Sequence, residues 1–125
     1  MNIVQQTKKE KGDAGEDKAC KYLESKGYEI IERNFRIRSG EIDIIAFREN
    51  TIVFAEVKTL PKGNYETLSH VLNAIKQKKI IETAKFFLLK YRKYNDSFIR
   101  FDVLAIDMPG FDPVYHIENA FSELL

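Results

Sequence analysis

With 125 residues, 44% of them hydrophobic and 31% charged, the chain is long enough for one domain with its own core and has the balance of a soluble globular protein. A single cysteine, Cys20, excludes an intrachain disulfide and a cysteine-built structural zinc site, and it fits a reducing, cytoplasmic compartment. The net charge of +1 says little about partners, no apolar run approaches the roughly 20 residues of a membrane span, and the charged N-terminus lacks a signal peptide's apolar stretch.

Residues 1–11, with Lys8, Lys9 and Lys11, read as a flexible basic arm, and 12–125 as a single domain. Ala19, Cys20 and Leu23 form a stripe that predicts a helix from Asp13 to Lys26, with Gly27 as its stop. Tyr28 to Ile37 mixes aromatic, β-branched and charged residues as a partly exposed strand does. After a turn at Ser39-Gly40, a strand from Glu41 to Phe47 and another from Thr51 to Lys58 flank the polar Arg48-Glu49-Asn50 and form an antiparallel hairpin. Beyond the loop at Pro61 and Gly63, a helix is expected from Leu68 to Arg92, broken near Asn73. Its apolar side carries Leu72, Ile75, Ala84, Phe87, Leu88 and Tyr91. Phe98 to Asp107 is a fourth strand, Pro109-Gly110 a turn, and Val114 to Ile117 a short fifth strand before a terminal helical turn. The fold class is α/β, a mixed five-stranded sheet flanked by helices.

Charge stands where a core strand tolerates it least. Glu56 and Lys58 share one face of their strand with Ile52 and Phe54, while Val53, Ala55 and Val57 take the other. A strand apolar on both faces is buried on both, and a charge there is costly unless compensated. In the hairpin partner, Glu41 and Asp43 share a face opposite Ile42, Ile44 and Ala46. A register that sets Asp43 opposite Glu56 makes two carboxylates converge, which raises a pKa unless a cation lies between them. Magnesium suits such a pair, because it needs only one or two carboxylates and completes its octahedron with water and phosphate oxygens. Lys58 beside it could orient a nucleophile or stabilise a phosphorane-like transition state. A structural ion pair at the sheet end explains the same residues, and spacing alone does not choose.

The remaining charged positions leave similar alternatives. Lys76, Lys78, Lys79, Lys85, Lys90, Arg92 and Lys93 are opposed only by Glu82, which fits either a solvated helix face or a surface for a phosphate backbone. Glu16 falls beside the inward stripe at i, i+4, i+7 spacing with Cys20 and Leu23, yet Asp13 and Glu16 also have the spacing of a capping box. Glu41 reads as a solvated or supporting carboxylate, Arg100 and Asp102 as a structural pair on one strand face, and Cys20 as inert core. His70 and His116 are isolated and read as surface or hydrogen-bonded histidines.

GEIDIIA followed by FAEVK is similar to the PD-(D/E)xK arrangement of restriction-endonuclease-like nucleases. The chain resembles the YraN-type family of small uncharacterised bacterial proteins in that superfamily through GDAGEDKACKYLESKGY, RNFR, Lys76-Gln77, RFDVLAID and HIENAF. These matches run from Gly12 almost to the end. The resemblance implies a restriction-endonuclease-like core and a Mg2+ site, with Mn2+ as substitute, held by Asp43 and Glu56. It adds Lys58 and, as in Holliday-junction-resolvase-like members, Glu16 to the catalytic set. The implied activity is metal-dependent hydrolysis of DNA phosphodiesters, with branched or unusual structures among the substrates and Lys76, Lys78, Lys79 and Lys85 as nucleic-acid contacts. Resolvase-like members commonly act as homodimers. The alternatives are a nucleic-acid-binding or adaptor protein that keeps the fold without the chemistry, or a protein-interaction module. Two departures stand out: Ala55 replaces the family's usual valine harmlessly, and Leu60 replaces an arginine, which removes one phosphate contact.

Overall fold

Five strands form one sheet in chain order, and every neighbouring pair is antiparallel except the third with the fourth, which is parallel. The computed structural model describes residues 8–123, with side chains from Asp13 onward apart from those of Tyr65, Ser69 and Val71. In chain order the elements are α1 (Lys8–Ser25), β1 (Glu29–Ile37), β2 (Gly40–Arg48), β3 (Thr51–Thr59), α2 (Tyr65–Val71), α3 (Ala74–Lys90), a 3₁₀ turn (Arg92–Tyr94), β4 (Phe98–Ile106) and β5 (Val114–Phe121). The fold is mixed α/β, and α2 and α3 supply the crossover that a parallel β3–β4 pair requires. Glu49 and Asn50, at φ 49 and 55, form the two-residue left-handed turn that suits the twist of the β2–β3 hairpin.

Both faces of the sheet are covered. Ala19 and Leu23 of α1 pack on Ile44, Val53, Ala55 and Leu104, while Ile80, Ala84 and Phe87 of α3 pack on Ile45, Ile52 and Phe54. A smaller cluster joins Leu68 of α2 to Val103, Ala105 and Met108. The α3 layer sits close because residue 40 is glycine: a Cβ there would lie 2.4 Å from Thr83 Oγ1 and 3.1 Å from the Lys79 carbonyl. Opposite, Gly15 lets α1 approach β3, since its Cβ would meet Thr59 Oγ1 at 2.2 Å.

Four expectations need correction. The helix begins by Lys8, so Lys8, Lys9 and Lys11 belong to α1 rather than to an arm, and residues 1–7 of that arm lie outside the described residues. Lysine and glutamate are good helix formers, and one glycine at Gly12 costs only about 1 kcal/mol. Asp13 is therefore mid-helix, and capping no longer accounts for Glu16. The expected break near Asn73 is present: Asn64 caps α2 through Thr67 N, and Asn73 caps α3 through Lys76 N. That start sets the phase of α3 and leaves Ile75 71% exposed instead of apolar-side. Finally, β5 continues to Phe121 where a helical turn was expected, held by Asn119 N–H donating to Asp102 and by Phe121 stacking on Phe101.

Candidate active site

The hairpin opens at its far end. Pairing of β2 with β3 runs from Arg48↔Thr51 to Ile44↔Ala55, so Asp43 and Glu56 come next in register, just past the last ladder pair. There Asp43 Oδ2 accepts from Val57 N at 2.8 Å, a side chain standing in for a ladder partner. Strand alternation breaks at this residue. Ile42 packs in the α3 layer and Ile44 in the α1 layer, which corrects the expectation that both share a face. On β1 the matching irregularity is Asn34, at φ 53.

A cleft of about 630 Å³ lies at the parted strands, lined by Glu16, Glu41, Asp43, Glu56, Lys58 and Lys76 together with Lys79 and Ile80. Each element delivers its charge by its own periodicity. Glu16 opens the inward stripe of α1 that continues through Cys20 and Leu23, and it is only 9% exposed. Glu56 and Lys58 extend the β3 face that begins with Ile52 and Phe54. Lys76 precedes Ile80, Ala84 and Phe87 on the buried stripe of α3, so that face turns from apolar to cationic as it reaches the cleft.

All four expected catalytic residues, Glu16, Asp43, Glu56 and Lys58, line this cleft. Of the four expected nucleic-acid lysines, Lys76 and Lys79 do so as well. Lys78 is exposed outside the lining, and Lys85 pairs with Glu123. Lys76 proves to be more than a surface contact, because its Nζ lies 2.7 Å from Glu56 Oε1 while Lys58 Nζ is 3.9 Å from the same oxygen. Its phase one turn ahead of Ile80 was the signal in the sequence. Asn34 was missed altogether. With its amide nitrogen turned toward them, it donates to Glu16 Oε1 (3.0 Å) and Glu41 Oε1 (3.2 Å) and holds two like charges together. Arg36 caps Glu41 from outside at 2.9 Å.

Electrostatics mark the same residues. Burial, and then the Glu56 carboxylate, push Asp43 up to about 7, against the lowering pull of the Val57 N–H. Burial also raises Glu16, with Arg33 opposing and Asp13, Glu41 and Asp17 adding to the rise. Lys58 is lowered by burial and by the neighbouring Lys76 ammonium. For Lys76, burial works downward but the Glu56 contact more than offsets it, and its pKa is raised. Among the described residues no three His, Cys, Asp or Glu side chains form a ready-made metal cage. The donor set is a carboxylate pair beside an open cleft, where burial and then the Glu56 carboxylate disfavour the charged form of Asp43, and it fits a magnesium ion that keeps most of its water.

The raised Asp43 has a consequence for stability. Its folded value is about 7 against an ordinary 3.8, so the folded protein holds this proton more tightly than the unfolded chain. Stability therefore falls as pH rises between those values and stays low above them. In chelator, Asp43→Asn is expected to gain about 1–3 kcal/mol over wild type in urea denaturation at about pH 8, and to lose that advantage near about pH 4. An advantage independent of pH would contradict the assignment.

The span from Gly15 to Ile106, residues 15–106, matches the model of a family described as "Uncharacterised protein family UPF0102". That span contains every cleft residue named above. A UPF0102 protein of Treponema pallidum (strain Nichols) is 44% identical over 118 residues, covering 91% of this chain and 94% of that protein. UPF0102 proteins of Persephonella marina and Geobacter metallireducens are each 46% identical over 111 residues, covering 89% and 88% of this chain and 92% and 90% of theirs. The chain belongs to the UPF0102 family, the YraN-type family that its motifs resemble.

Proposed function

We propose that the protein is a metal-dependent nuclease with a restriction-endonuclease-like core that hydrolyses DNA phosphodiesters, with branched or unusual structures first among its substrates. The observation that carries this reading is the convergence of Glu16, Asp43, Glu56 and Lys58, from three elements, on one cleft where β2 and β3 part. Strand order and the single parallel pair support the core assignment.

Bound between Asp43 and Glu56, Mg2+ or Mn2+ would supply an activated water and neutralise charge on the scissile phosphate. The chain's own groups do the rest. Lys58, lowered by burial, stands where an ammonium can orient the attacking water or donate to a phosphate oxygen. Asn34 fixes the Glu16 carboxylate at the cleft wall. Lys76 and Lys79 lie in the first two turns of α3, where the helix dipole favours an anion. Lys78 and Lys85 would carry the phosphate backbone onward along that helix. A homodimer would offer two clefts to two strands. A cytoplasmic setting accords with the free Cys20.

The test is incubation with single-stranded, duplex and branched DNAs in Mg2+ or Mn2+, beside a chelator control. Cleavage by wild type that needs metal and is absent in Glu56→Ala is expected. If both proteins leave every substrate equally intact, the hydrolytic reading falls. One observation favours a second reading, a nucleic-acid-binding or adaptor protein without chemistry: Lys76 already supplies a cation to Glu56. That reading requires salt-sensitive DNA binding that survives Asp43→Ala and weakens on charge reversal at Lys78 and Lys79.

A further inference from the structure

We propose that Lys76 is an internal counter-ion that competes with the divalent metal for Glu56, so that the cleft binds metal tightly only when a phosphate draws the Lys76 ammonium away. The inference rests on the reading of this cleft as a metal-dependent nuclease site.

Two ammoniums crowd one carboxylate oxygen, with Lys76 Nζ at 2.7 Å and Lys58 Nζ at 3.9 Å from Glu56 Oε1. The Glu56 side chain is 8% exposed and that of Lys76 34%, so this pair is more desolvated than a surface ion pair and correspondingly stronger. A divalent ion that takes the same oxygen meets a charge already compensated, and one ammonium must yield. Lys58 Nζ already stands off at 3.9 Å, beyond hydrogen-bond reach of that oxygen, so the ammonium in the way is the closer one. Lys76 is the one that can leave. It sits in the first turn of α3, where the helix dipole disfavours a cation and favours an anion, and its stem turns freely about four carbons. A phosphate oxygen arriving there offers the ammonium a new partner and frees Glu56 for the metal. Metal and phosphate then strengthen each other's binding by the same factor.

The test follows free Mn2+ by paramagnetic resonance during titration, with and without a hydrolysis-resistant phosphorothioate oligonucleotide, after subtraction of metal held by the oligonucleotide alone. Wild type should bind Mn2+ on the order of tenfold more tightly with the oligonucleotide than without it. Lys76→Met should bind Mn2+ alone about as tightly as wild type does with oligonucleotide, and should lose the coupling. Lys76→Arg keeps the charge and should keep the wild-type pattern. Lys76→Met binding no tighter than wild type overturns the proposal, as does a wild type whose Mn2+ affinity ignores the oligonucleotide or is undetectable. If Lys76→Met fails to fold, Lys76→Gln, which also removes the charge, is read in its place. Cleavage is not read: a protein with this metal pattern that cuts nothing loses the nuclease reading alone, and one that cuts with metal affinity indifferent to Lys76 loses the counter-ion alone.

Discussion

Asp102→Ala is expected to lower the unfolding free energy by about 3–5 kcal/mol, a large share of what a domain of this size possesses. Asp102 is fully buried and its two oxygens take four groups: Arg100 Nε at 2.9 Å, Arg100 Nη2 at 2.8 Å, His116 Nε2 at 2.6 Å and the Asn119 N–H at 2.9 Å. His116 is held from its other side by the Tyr22 hydroxyl at 3.3 Å, so the network joins α1, β4 and β5. It also explains why β5 stays paired beyond Ile117. The β4–β5 register shifts between Phe101 and Val103, and the Asp102 carboxylate there satisfies Asn119, which sits at φ 53. Removing the carboxylate leaves a guanidinium, an imidazole and a backbone N–H short of a partner in a largely dry place.

Burial alone would raise the Asp102 pKa, but the bonds from His116, Arg100 and Asn119 more than offset it and hold the value below 3.8. A depressed folded value means the contribution is present above the ordinary range and is lost as pH falls through the folded pKa. Urea denaturation of Asp102→Ala near neutral pH reads the effect directly. A loss under about 1 kcal/mol would show that the network is not what anchors β5.

Much of this was legible in the sequence because it is local. Alternation in GEIDIIA and TIVFAEVK, with polar residues between, sufficed for the hairpin and allowed Asp43 to meet Glu56, without fixing the register that sets them together. Glu16 was readable from the stripe of α1. What escaped depends on how elements dock. Periodicity shows which face of a helix a lysine occupies but not what that face meets, and the contact of Gly40 with Lys79 and Thr83 is what brings Lys76 to Glu56. Asn34 acts through a left-handed backbone and two partners far apart in the chain, none visible as a pattern. Ile42 changed layers because Asp43 bonds sideways to β3, and strict alternation has no place for that. The length of β5 depended on a carboxylate in another strand.

The second large effect is expected at Lys58. Its ammonium lies beside Glu56 without being that residue's closest cation, which leaves it available to a reacting phosphate. Lys58→Met keeps an unbranched apolar stem and leaves Asp43 and Glu56 intact, so it separates transition-state stabilisation from metal binding. Loss of one such donor typically slows an acyl- or phosphoryl-type reaction by about 10²–10³-fold.

The decisive measurement is single-turnover cleavage of a labelled branched DNA in Mg2+ by wild type and Lys58→Met, with DNA binding followed in parallel. Cleavage by wild type that stops in chelator and falls by about 10²–10³-fold in Lys58→Met, with binding retained, is the expected result. Equal cleavage by the two proteins, or none by wild type with Mg2+ or Mn2+ on any DNA structure, would contradict an active site built on Asp43, Glu56 and Lys58.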